Sequence, residues 1–332
     1  MKELDSAEAT NLHADTRGWS PALWGTIYGA ISAVAYTAAN VCLRAVTDQD
    51  PVWVSCIKAF PTVVGTAPWL LLWRRPGKSI LLPGRVIGML VATGLLGQLG
   101  GNVAFQWSLG VIGMAHTVPL CMGAIIIGSA ILGRIYLNEP LTALTIAALS
   151  ALIAAIWVLS IGARGIDSVG MLMEAERTWL VTLAVGAACL AGVSYAVLGV
   201  AIRRAVIGQA SVAATTFCVA ATGLLSLGPA SVARLGFEQL FQTPPTDFAM
   251  MMLAGVFNLV AFVSLARALQ ITTLVYVNAL NASQVALASL AGVVLFHEQP
   301  SSALAIGVAL TIAGLILMPR HGSHDGKRSE PG

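Results

Sequence analysis

Long apolar segments recur along the whole chain, and they constrain the fold more than any other feature of the sequence. Ten of them come close to the roughly 20 apolar residues that cross a bilayer. They lie at 20–44, 52–73, 85–109, 112–137, 141–162, 178–202, 210–233, 246–269, 272–296 and 300–319. Hydrophobic residues make up 57% of the chain and charged residues 10%, against about 25% charged in soluble domains. A water-soluble fold could not bury so much apolar surface, so the sequence predicts an all-α membrane protein with ten transmembrane helices.

The two halves of the sequence share residues at one fixed offset, which indicates an internal duplication. These identical pairs are 159 positions apart: Tyr36 and Tyr195, Arg44 and Arg203, Gly133 and Gly292, and Glu139 and Glu298. We therefore predict a five-helix repeat at 20–162 and a second at 178–319, joined by a charged linker at 163–177. Because five is an odd number, the second copy must enter the membrane the opposite way up, as in the inverted repeats of secondary transporters.

The distribution of Lys and Arg between the predicted loops sets the orientation in the membrane. With the N-terminus inside, 13 of these residues lie on the cytoplasmic side, and five lie outside, namely Arg44, Lys58, Arg164, Arg177 and Arg234. This asymmetry predicts that the polar tails at 1–19 and 320–332 are both cytoplasmic. We expect the protein to reside in the cell (inner) membrane. The N-terminal tail lacks the order of charged, apolar and small residues that marks a cleaved signal peptide.

Polar residues inside the apolar segments form stripes at helical spacing. Residues four apart lie on nearly the same face of a helix, and the first span carries such a ladder at Tyr28, Ser32, Tyr36, Asn40 and Arg44. The third and ninth spans carry shorter stripes. Because polar groups in hydrocarbon are costly and usually face a bundle interior or a water-filled cavity, we predict a cavity that binds substrate. The predicted substrate-binding residues are Tyr36, Asn40, Gln98, Asn102, Gln106, His116, Tyr195, Asn258, Asn278, Asn281 and Gln284.

Each of these polar residues could instead have a structural role, and the sequence leaves that alternative open. Hydrogen bonds between helices, each worth about 0.6–2 kcal/mol, would account for any single Asn or Gln. Tyr36 and Tyr195 fall in the outer third of the first span and the inner third of the sixth, which would suit either two alternating gates or packing. His116 could titrate near neutral pH and couple transport to protons, or it could bond to a neighbouring helix.

The predicted cavity is mostly neutral, which limits the chemistry of its ligands. No Asp or Glu lies in the middle of a predicted span, and no cluster of Lys and Arg lies at the midplane. Phosphate-bearing substrates would require such a cluster, whereas aromatic faces such as those of Tyr36 and Trp107 can hold an organic cation. The sequence therefore favours a neutral, zwitterionic or cationic amphipathic molecule.

Two acidic motifs follow the fourth and ninth spans, Glu139-Pro140 and Glu298-Gln299-Pro300. Proline suits the first turn of a helix and a carboxylate suits the positive end of the helix dipole, so each motif is predicted to cap the helix that follows it. His297-Glu298 is not a zinc motif, because HExxH requires a histidine where Ser301 stands. The five cysteines also lack the spacing of metal ligands, so neither a metal nor another cofactor is predicted.

The chain resembles the drug/metabolite transporter superfamily, and its EamA-type branch in particular, through its ten spans, its two copies, its cytoplasmic termini and one repeated motif. The motif is Leu137-Asn138-Glu139-Pro140-Leu141, and its echo is Phe296-His297-Glu298-Gln299-Pro300, in which Gln299 is a departure. The resemblance covers about residues 20 to 319. It implies alternating access through a central cavity formed mainly by helices 1, 3, 4, 6, 8 and 9. It also implies a secondary transporter that exports amino acids, drugs or related small amphipathic metabolites.

Two further classes of function stay open. A membrane sensor or scaffold would keep the fold without transport, although neither tail is long enough to form a soluble output domain. An intramembrane enzyme would need a nucleophile and a base, for which the sequence offers only Ser108 and His116 without a GxSxG motif. We therefore expect a protein that is not an enzyme and whose partners are a small-molecule substrate and the lipid bilayer. The sequence has no basic block that would bind nucleic acid, and it leaves a homodimer open.

Overall fold

The computed structural model describes residues 21–72, 83–137, 143–163, 174–207, 210–281 and 283–317. Within these ranges the regular elements are all helices, so the predicted all-α class is confirmed. The helices are α1 (Pro21–Arg44), α2 (Pro51–Leu72), α3 (Gly84–Leu96), α4 (Ala104–Leu137), α5 (Ala143–Ala163), α6 (Glu174–Ile207), α7 (Val212–Phe241), α8 (Pro245–Ile271), α9 (Leu274–Asn281), α10 (Gln284–Phe296) and α11 (Ser302–Leu317). A π-helical segment at Gly97–Val103 joins α3 to α4.

Five helical stretches are long and apolar enough to cross a membrane. They are Leu23–Arg44, Gly84–Tyr136, Glu176–Ile207, Val212–Phe241 and Pro245–Ile271, and shorter apolar stretches lie at Ile146–Leu159, Gln284–Phe296 and Ser302–Gly314. Large apolar side chains on the outside of the bundle, such as Leu225 and Ile316, are 76% and 77% exposed, which suits contact with lipid. The structure therefore supports a multi-pass integral membrane protein, while the count of ten spans and their inverted repeat stay predictions.

The stretch Gly84–Tyr136 contains 53 residues and is divided in two at Gly113. Since a helix rises 1.5 Å per residue, about 20 residues cross the hydrocarbon core, and this stretch is long enough for two passages. Gly113 has φ 74° and ψ 175°, a conformation that is open to glycine and strained for other residues. The helix before Gly113 covers the rest of the third predicted span, and the helix after it covers the fourth predicted span.

Two buried apolar clusters lie on either side of the bundle centre. α4 packs extensively against α6, and α1 against α8, while α2 pairs with α7 and α5 with α11. The first cluster includes Leu43, Val54, Phe105, Leu109 and Met251, and the second includes Ile202, Val219, Phe262, Leu269 and Leu274. A cavity lies between the two clusters, because residues from both of them line it.

Candidate functional site

A cavity of about 150 Å³ occupies the middle of the bundle. A buried water needs roughly 10–15 Å³, so the cavity has space for about ten waters or one small organic solute. Its polar lining consists of Tyr36, Asn40, Lys58, Thr62, Gln98, Asn102, Tyr195, Asn258, Asn281 and Gln284. The rest of the lining is mainly aliphatic and aromatic, with Phe105 and Phe262 in its walls. A few polar groups in an apolar wall are typical of sites that bind small molecules.

Most residues that the sequence predicts as substrate-binding converge on this cavity. Eight of them line it, namely Tyr36, Asn40, Gln98, Asn102, Tyr195, Asn258, Asn281 and Gln284. They are contributed by α1, the π-helical segment, α6, α8, α9 and α10, so distant parts of the chain supply one lining. Asn40 and Asn258 make no hydrogen bond to another described residue, which leaves their amides available to a ligand. Their role in binding stays a prediction.

Gln106 is predicted to line the cavity but faces α1 instead. It is buried, and its Nε2 donates to the carbonyl oxygen of Leu43 at 3.1 Å. The π-helical segment explains the difference, because a wider turn with i→i+5 hydrogen bonds rotates the residues after it relative to a regular helix. The four-residue spacing from Gln98 through Asn102 therefore does not keep Gln106 on the same face.

His116 and Trp107 also face other helices rather than the cavity. His116 is buried, and its Nε2 lies beside Gly162 of α5 without a hydrogen-bond partner among the described residues. Trp107 packs into an apolar cluster with Leu159, so the expectation that it forms an aromatic wall of the cavity is wrong. Both side chains lie on the side of α4 that packs against α5. Asn278 lies in α9, but its side chain is outside the part of the chain that the structure describes.

Asn102 is the centre of a hydrogen-bond network on one side of the cavity. Lys58 Nζ donates to Asn102 Oδ1 at 2.6 Å, and the Tyr195 hydroxyl donates to the same oxygen at 2.7 Å. Asn102 Nδ2 donates to Gln98 Oε1 at 2.6 Å, and Gln98 Nε2 donates to the carbonyl oxygen of Val219 at 3.4 Å. The network therefore connects α2, the π-helical segment, α6 and α7.

Lys58 is a site residue that sequence reasoning missed. Its predicted place among the cations outside the membrane is wrong, because Lys58 lies seven residues inside α2 and is only 5% exposed. That position is about 10 Å along the helix axis. Thr62 follows one turn later and also lines the cavity, so this face of α2 points inward. The apolar residues that flank Lys58 on both sides were the signal that could have identified it.

The buried position of Lys58 is energetically unfavourable for its charge. A lysine at the centre of a membrane helix costs about 2.5–3.5 kcal/mol on insertion scales, and breaking a buried pair by leaving one charge without a partner costs about 3–5 kcal/mol. Two ion pairs occur among the described residues, Arg44–Glu298 and Arg234–Asp50, and neither involves Lys58. Lys58 therefore has no acidic partner among the described residues. Ionisable residues inside a membrane bundle are usually functional, so Lys58 is a candidate functional residue.

Glycines of the π-helical segment let α6 approach closely enough for the network to form. Gly97, Gly100 and Gly101 face Leu198, Ser194 and Tyr195 of α6, respectively. A methyl group at Gly101 would lie 2.6 Å from Tyr195 Cε1, whereas carbon atoms in contact prefer about 3.5–4.0 Å. The absence of a side chain at Gly101 therefore allows the Tyr195 hydroxyl to reach Asn102.

A carboxylate and an arginine hold together one end of the bundle, which we call the Glu298 end. Glu298 Oε1 accepts from the backbone N–H of Met114 at 2.7 Å, and Oε2 accepts from that of Ala115 at 2.7 Å. Arg44 Nε donates to Oε1 at 2.9 Å. Glu298 therefore caps the helix that begins after Gly113, whose first N–H groups have no acceptor within the helix.

The prediction that the second acidic motif caps the helix that follows it is wrong. The first turn of α11 is capped by Ser301, whose Oγ accepts from the backbone N–H of Leu304 at 3.0 Å. Pro300 lies before this cap, and the carboxylate of Glu298 is occupied at α4. The first motif, Glu139-Pro140, lies outside the described residues, so its predicted capping role stays a prediction.

The opposite end of the bundle, which we call the Arg203 end, is held by two neighbouring arginines of α6. Arg203 Nη1 donates to the carbonyl oxygens of Thr272 and Leu269, the latter at 3.2 Å. Arg204 Nη2 donates to the carbonyl oxygen of Tyr136 near the far end of α4 at 2.9 Å. The part of α4 after Gly113 begins at the Glu298 end and reaches Tyr136. The two arginines therefore lie at the other end of the bundle.

Part of the chain matches a known protein family. Residues 182–319 match the EamA-like transporter family. This range lies within the second predicted copy, and over these residues the match supports the resemblance to the drug/metabolite transporter superfamily. A solved structure, described only as the crystal structure of a protein, shares 19% sequence identity and a TM-score of 0.64 over 88% of this chain and 94% of its own. At this identity the likeness concerns the fold alone. A comparison with curated proteins found no match.

Proposed function

We propose that this chain is a secondary transporter of the drug/metabolite superfamily that exports amino acids, drugs or related small amphipathic metabolites by alternating access. The central cavity carries the proposal, because predicted polar residues converge there between two apolar clusters. Secondary transporters built from repeats bind their substrates near the midplane, where the repeats meet. Lining residues from both halves of the chain, such as Tyr36 and Tyr195, support that arrangement.

Two agreements between the halves support the inverted repeat. Positions that are 159 apart occur in the two buried clusters as the pairs Cys42 and Ala201, Leu43 and Ile202, Val46 and Ala205, Leu109 and Ala268, and Val118 and Val277. The helix pairing corresponds as well, since α1 packs on α8, while α6 packs on α3, the π-helical segment and α4. In the repeat, α6 is the counterpart of α1, and the third predicted span is the counterpart of α8.

In the proposed orientation both termini are cytoplasmic, so the Glu298 end faces outward and the Arg203 end faces the cytoplasm. Burial of Lys58 in α2 removes one cation from the outer loops and so increases the cytoplasmic excess of Lys and Arg. Alternating access then requires the contacts at the two ends to separate in turn while the solute occupies the cavity.

Flux through liposomes that contain the purified protein tests the proposal. Radiolabelled amino acids and organic cations are offered at two internal pH values, and saturable uptake is expected for one class. Asn102→Ala should lower the flux by about tenfold or more, since it removes an acceptor of two hydrogen bonds worth roughly 1 kcal/mol each. Ser150→Ala, an exposed position whose hydroxyl bonds only within α5, serves as the control with wild-type flux. Normal flux in Asn102→Ala would show that the Asn102 network is structural. No flux from folded protein across a widened panel would contradict the proposal.

A sensor or scaffold with the same fold is the alternative, and the same preparation distinguishes it. Thermal stabilisation by a ligand without any flux would favour that alternative. For an intramembrane enzyme the candidate nucleophile is Ser108, whose Oγ shares a hydrogen bond with Thr117 Oγ1 at 3.1 Å. His116 Nε2 has no hydrogen-bond partner among the described residues.

A further inference from the structure

We infer that Lys58 is the anion-binding residue of the cavity and that the transported solute carries a carboxylate on an apolar or aromatic body. The statement about transport rests on the proposed function. The binding site is argued independently from the residues that line the cavity. It narrows the sequence-based expectation of a neutral, zwitterionic or cationic ligand, because an organic cation without a carboxylate does not fit the site.

The first argument is the unused bonding capacity of Lys58. An ammonium group has three donor hydrogens, and Asn102 Oδ1 accepts one of them at 2.6 Å. That oxygen is uncharged and also accepts from the Tyr195 hydroxyl. Within the described part of the chain, the other two hydrogens have no acceptor and the charge has no carboxylate partner. A ligand carboxylate would supply both the acceptors and the opposite charge.

The second argument is an unsatisfied hydroxyl next to Lys58. Thr62 is four residues further along α2, so its side chain projects from the same face of the helix. Thr62 is fully buried and lines the cavity, and its Oγ1 has no hydrogen-bond partner among the described residues. A buried polar group without a partner is unfavourable. A carboxylate has two acceptor oxygens, and one group can therefore bind Lys58 and Thr62 together.

The remaining lining determines the rest of the solute. The walls include Phe105, Ile125, Phe262 and Leu265, which suit an apolar or aromatic body. Among the described residues that line the cavity there is no Asp or Glu, so a solute that is only a cation finds no opposite charge. It would also meet the like charge of Lys58 in a medium of low dielectric constant, where repulsion is strong. An amino acid remains compatible, since its carboxylate can bind Lys58 while amide oxygens accept from its ammonium group.

Binding to the purified full-length protein in detergent tests the inference with matched probes. One series shares an aromatic body: 3-phenylpropionate has a carboxylate, phenylalaninamide has an ammonium group, and phenylalanine has both. A second series shares an aliphatic body: 4-methylpentanoate, leucinamide and leucine. Phenyl phosphate distinguishes a carboxylate site from a site for phosphate. We expect carboxylates of at least one series to raise Tm and to show saturable heat of binding, while the amides and phenyl phosphate give neither.

Variants of α2 connect the binding to Lys58. Lys58→Met should weaken carboxylate binding by at least about thirtyfold, as expected when one partner of a buried charge pair is removed. Lys58→Arg keeps the charge and should retain most of the affinity. Phe60→Leu, at a position that is 42% exposed on the outside of α2, is the control and should bind as the wild type does. If Lys58→Met yields no folded protein, Lys58→Gln gives the same comparison.

Several results would overturn the inference. They are equal binding of the amides, preferential binding of phenyl phosphate, carboxylate binding that survives Lys58→Met, and failure of every carboxylate to bind. Flux measurements separate this failure from failure of the proposed function. A carboxylate that binds through Lys58 and is never transported would refute transport and leave the binding site standing. Flux of an amine that is unchanged in Lys58→Met would refute the inference and leave transport standing.

Discussion

The Glu298 end and the Arg203 end each contain one of two arginines that lie 159 positions apart, and the two arginines bind different groups. At the Glu298 end, Arg44 binds a carboxylate that itself accepts from two backbone N–H groups. At the Arg203 end, Arg203 donates directly to carbonyl oxygens at the end of α8. One arginine therefore supports the start of a helix, and its counterpart supports the finish of another.

The equivalent residues Gly113 and Thr272 explain this difference. Gly113 adopts φ 74°, which directs the first N–H groups of the following helix toward Glu298. Thr272 is extended, with φ −135° and ψ 174°, and its hydroxyl donates to the carbonyl oxygen of Ala268 at 3.0 Å. A β-branched residue is strongly disfavoured at positive φ, so the predicted second copy does not repeat the turn of the first. In the proposed repeat the position of the arginine is thus kept, while a single residue changes what the arginine binds.

The largest effect is expected from Glu298→Ala. This change leaves Arg44 and the N–H groups of Met114 and Ala115 without their acceptor, at a site where the Glu298 side chain is 12% exposed. Removing one partner of a buried charged network costs about 3–5 kcal/mol, so Tm in detergent should fall sharply. Glu298→Gln keeps an acceptor oxygen without the charge and should recover part of the loss. An unchanged Tm in Glu298→Ala would show that the Glu298 end contributes little to stability.

The next largest loss of stability is expected from Gly113→Ala, and Gly236→Ala is its matched control. Both glycines have positive φ, 74° and 73°, so both substitutions carry a backbone strain of about 1–3 kcal/mol. A methyl group at Gly113 would also lie 2.6 Å from Glu298 Oε1, whereas nothing lies within 4 Å of one at Gly236. Gly113→Ala should therefore lower Tm more than Gly236→Ala does. Equal losses would mean that the contact with Glu298 adjusts freely.

Removal of single arginines should cause intermediate losses of stability, and these losses show which end of the bundle contributes more. Arg44→Ala leaves a carboxylate without its cation and should cost about 1–3 kcal/mol. The cost should be smaller for Arg203→Ala, because the acceptors of Arg203 at Leu269 and Thr272 are neutral carbonyl oxygens. Arg234→Ala breaks the ion pair with Asp50, but the Arg234 side chain is 60% exposed, so a loss below about 1 kcal/mol is expected. Thermal unfolding of the three variants in one detergent measures the order, and a larger loss in Arg203→Ala would reverse the comparison.

The smallest loss of stability is expected from Lys58→Met, a residue of the cavity and of neither end. A buried charge without an opposite charge is itself unfavourable in a membrane bundle, so an apolar side chain of similar size should not destabilise the fold. Asn102 Oδ1 would still accept from the Tyr195 hydroxyl, so no acceptor is left unsatisfied. Tm of the ligand-free protein should therefore stay the same or rise. A clear fall would place Lys58 with the structural charges of the two ends.

Helical spacing in the sequence predicted much of the cavity, because residues such as Tyr36 and Asn102 lie on regular stripes that face the bundle centre. It failed at Gln106, since the π-helical segment changes the rotation between one turn and the next. It also failed at Lys58, because a charged residue near the start of an apolar segment is typical of a membrane interface, and only the packing shows that α2 directs it inward.

The sequence by itself determined that the chain forms apolar helices, and it predicts two related halves. These properties depend on local composition, spacing and one offset, which can be read directly along the chain. Only the tertiary structure decided where the charges are bound. Glu298 accepts from Met114, which is 184 positions away, because Gly113 turns the chain and exposes unsatisfied N–H groups at that point. A carboxylate binds whichever donors the packing brings to it, and its neighbours in the sequence do not determine that choice.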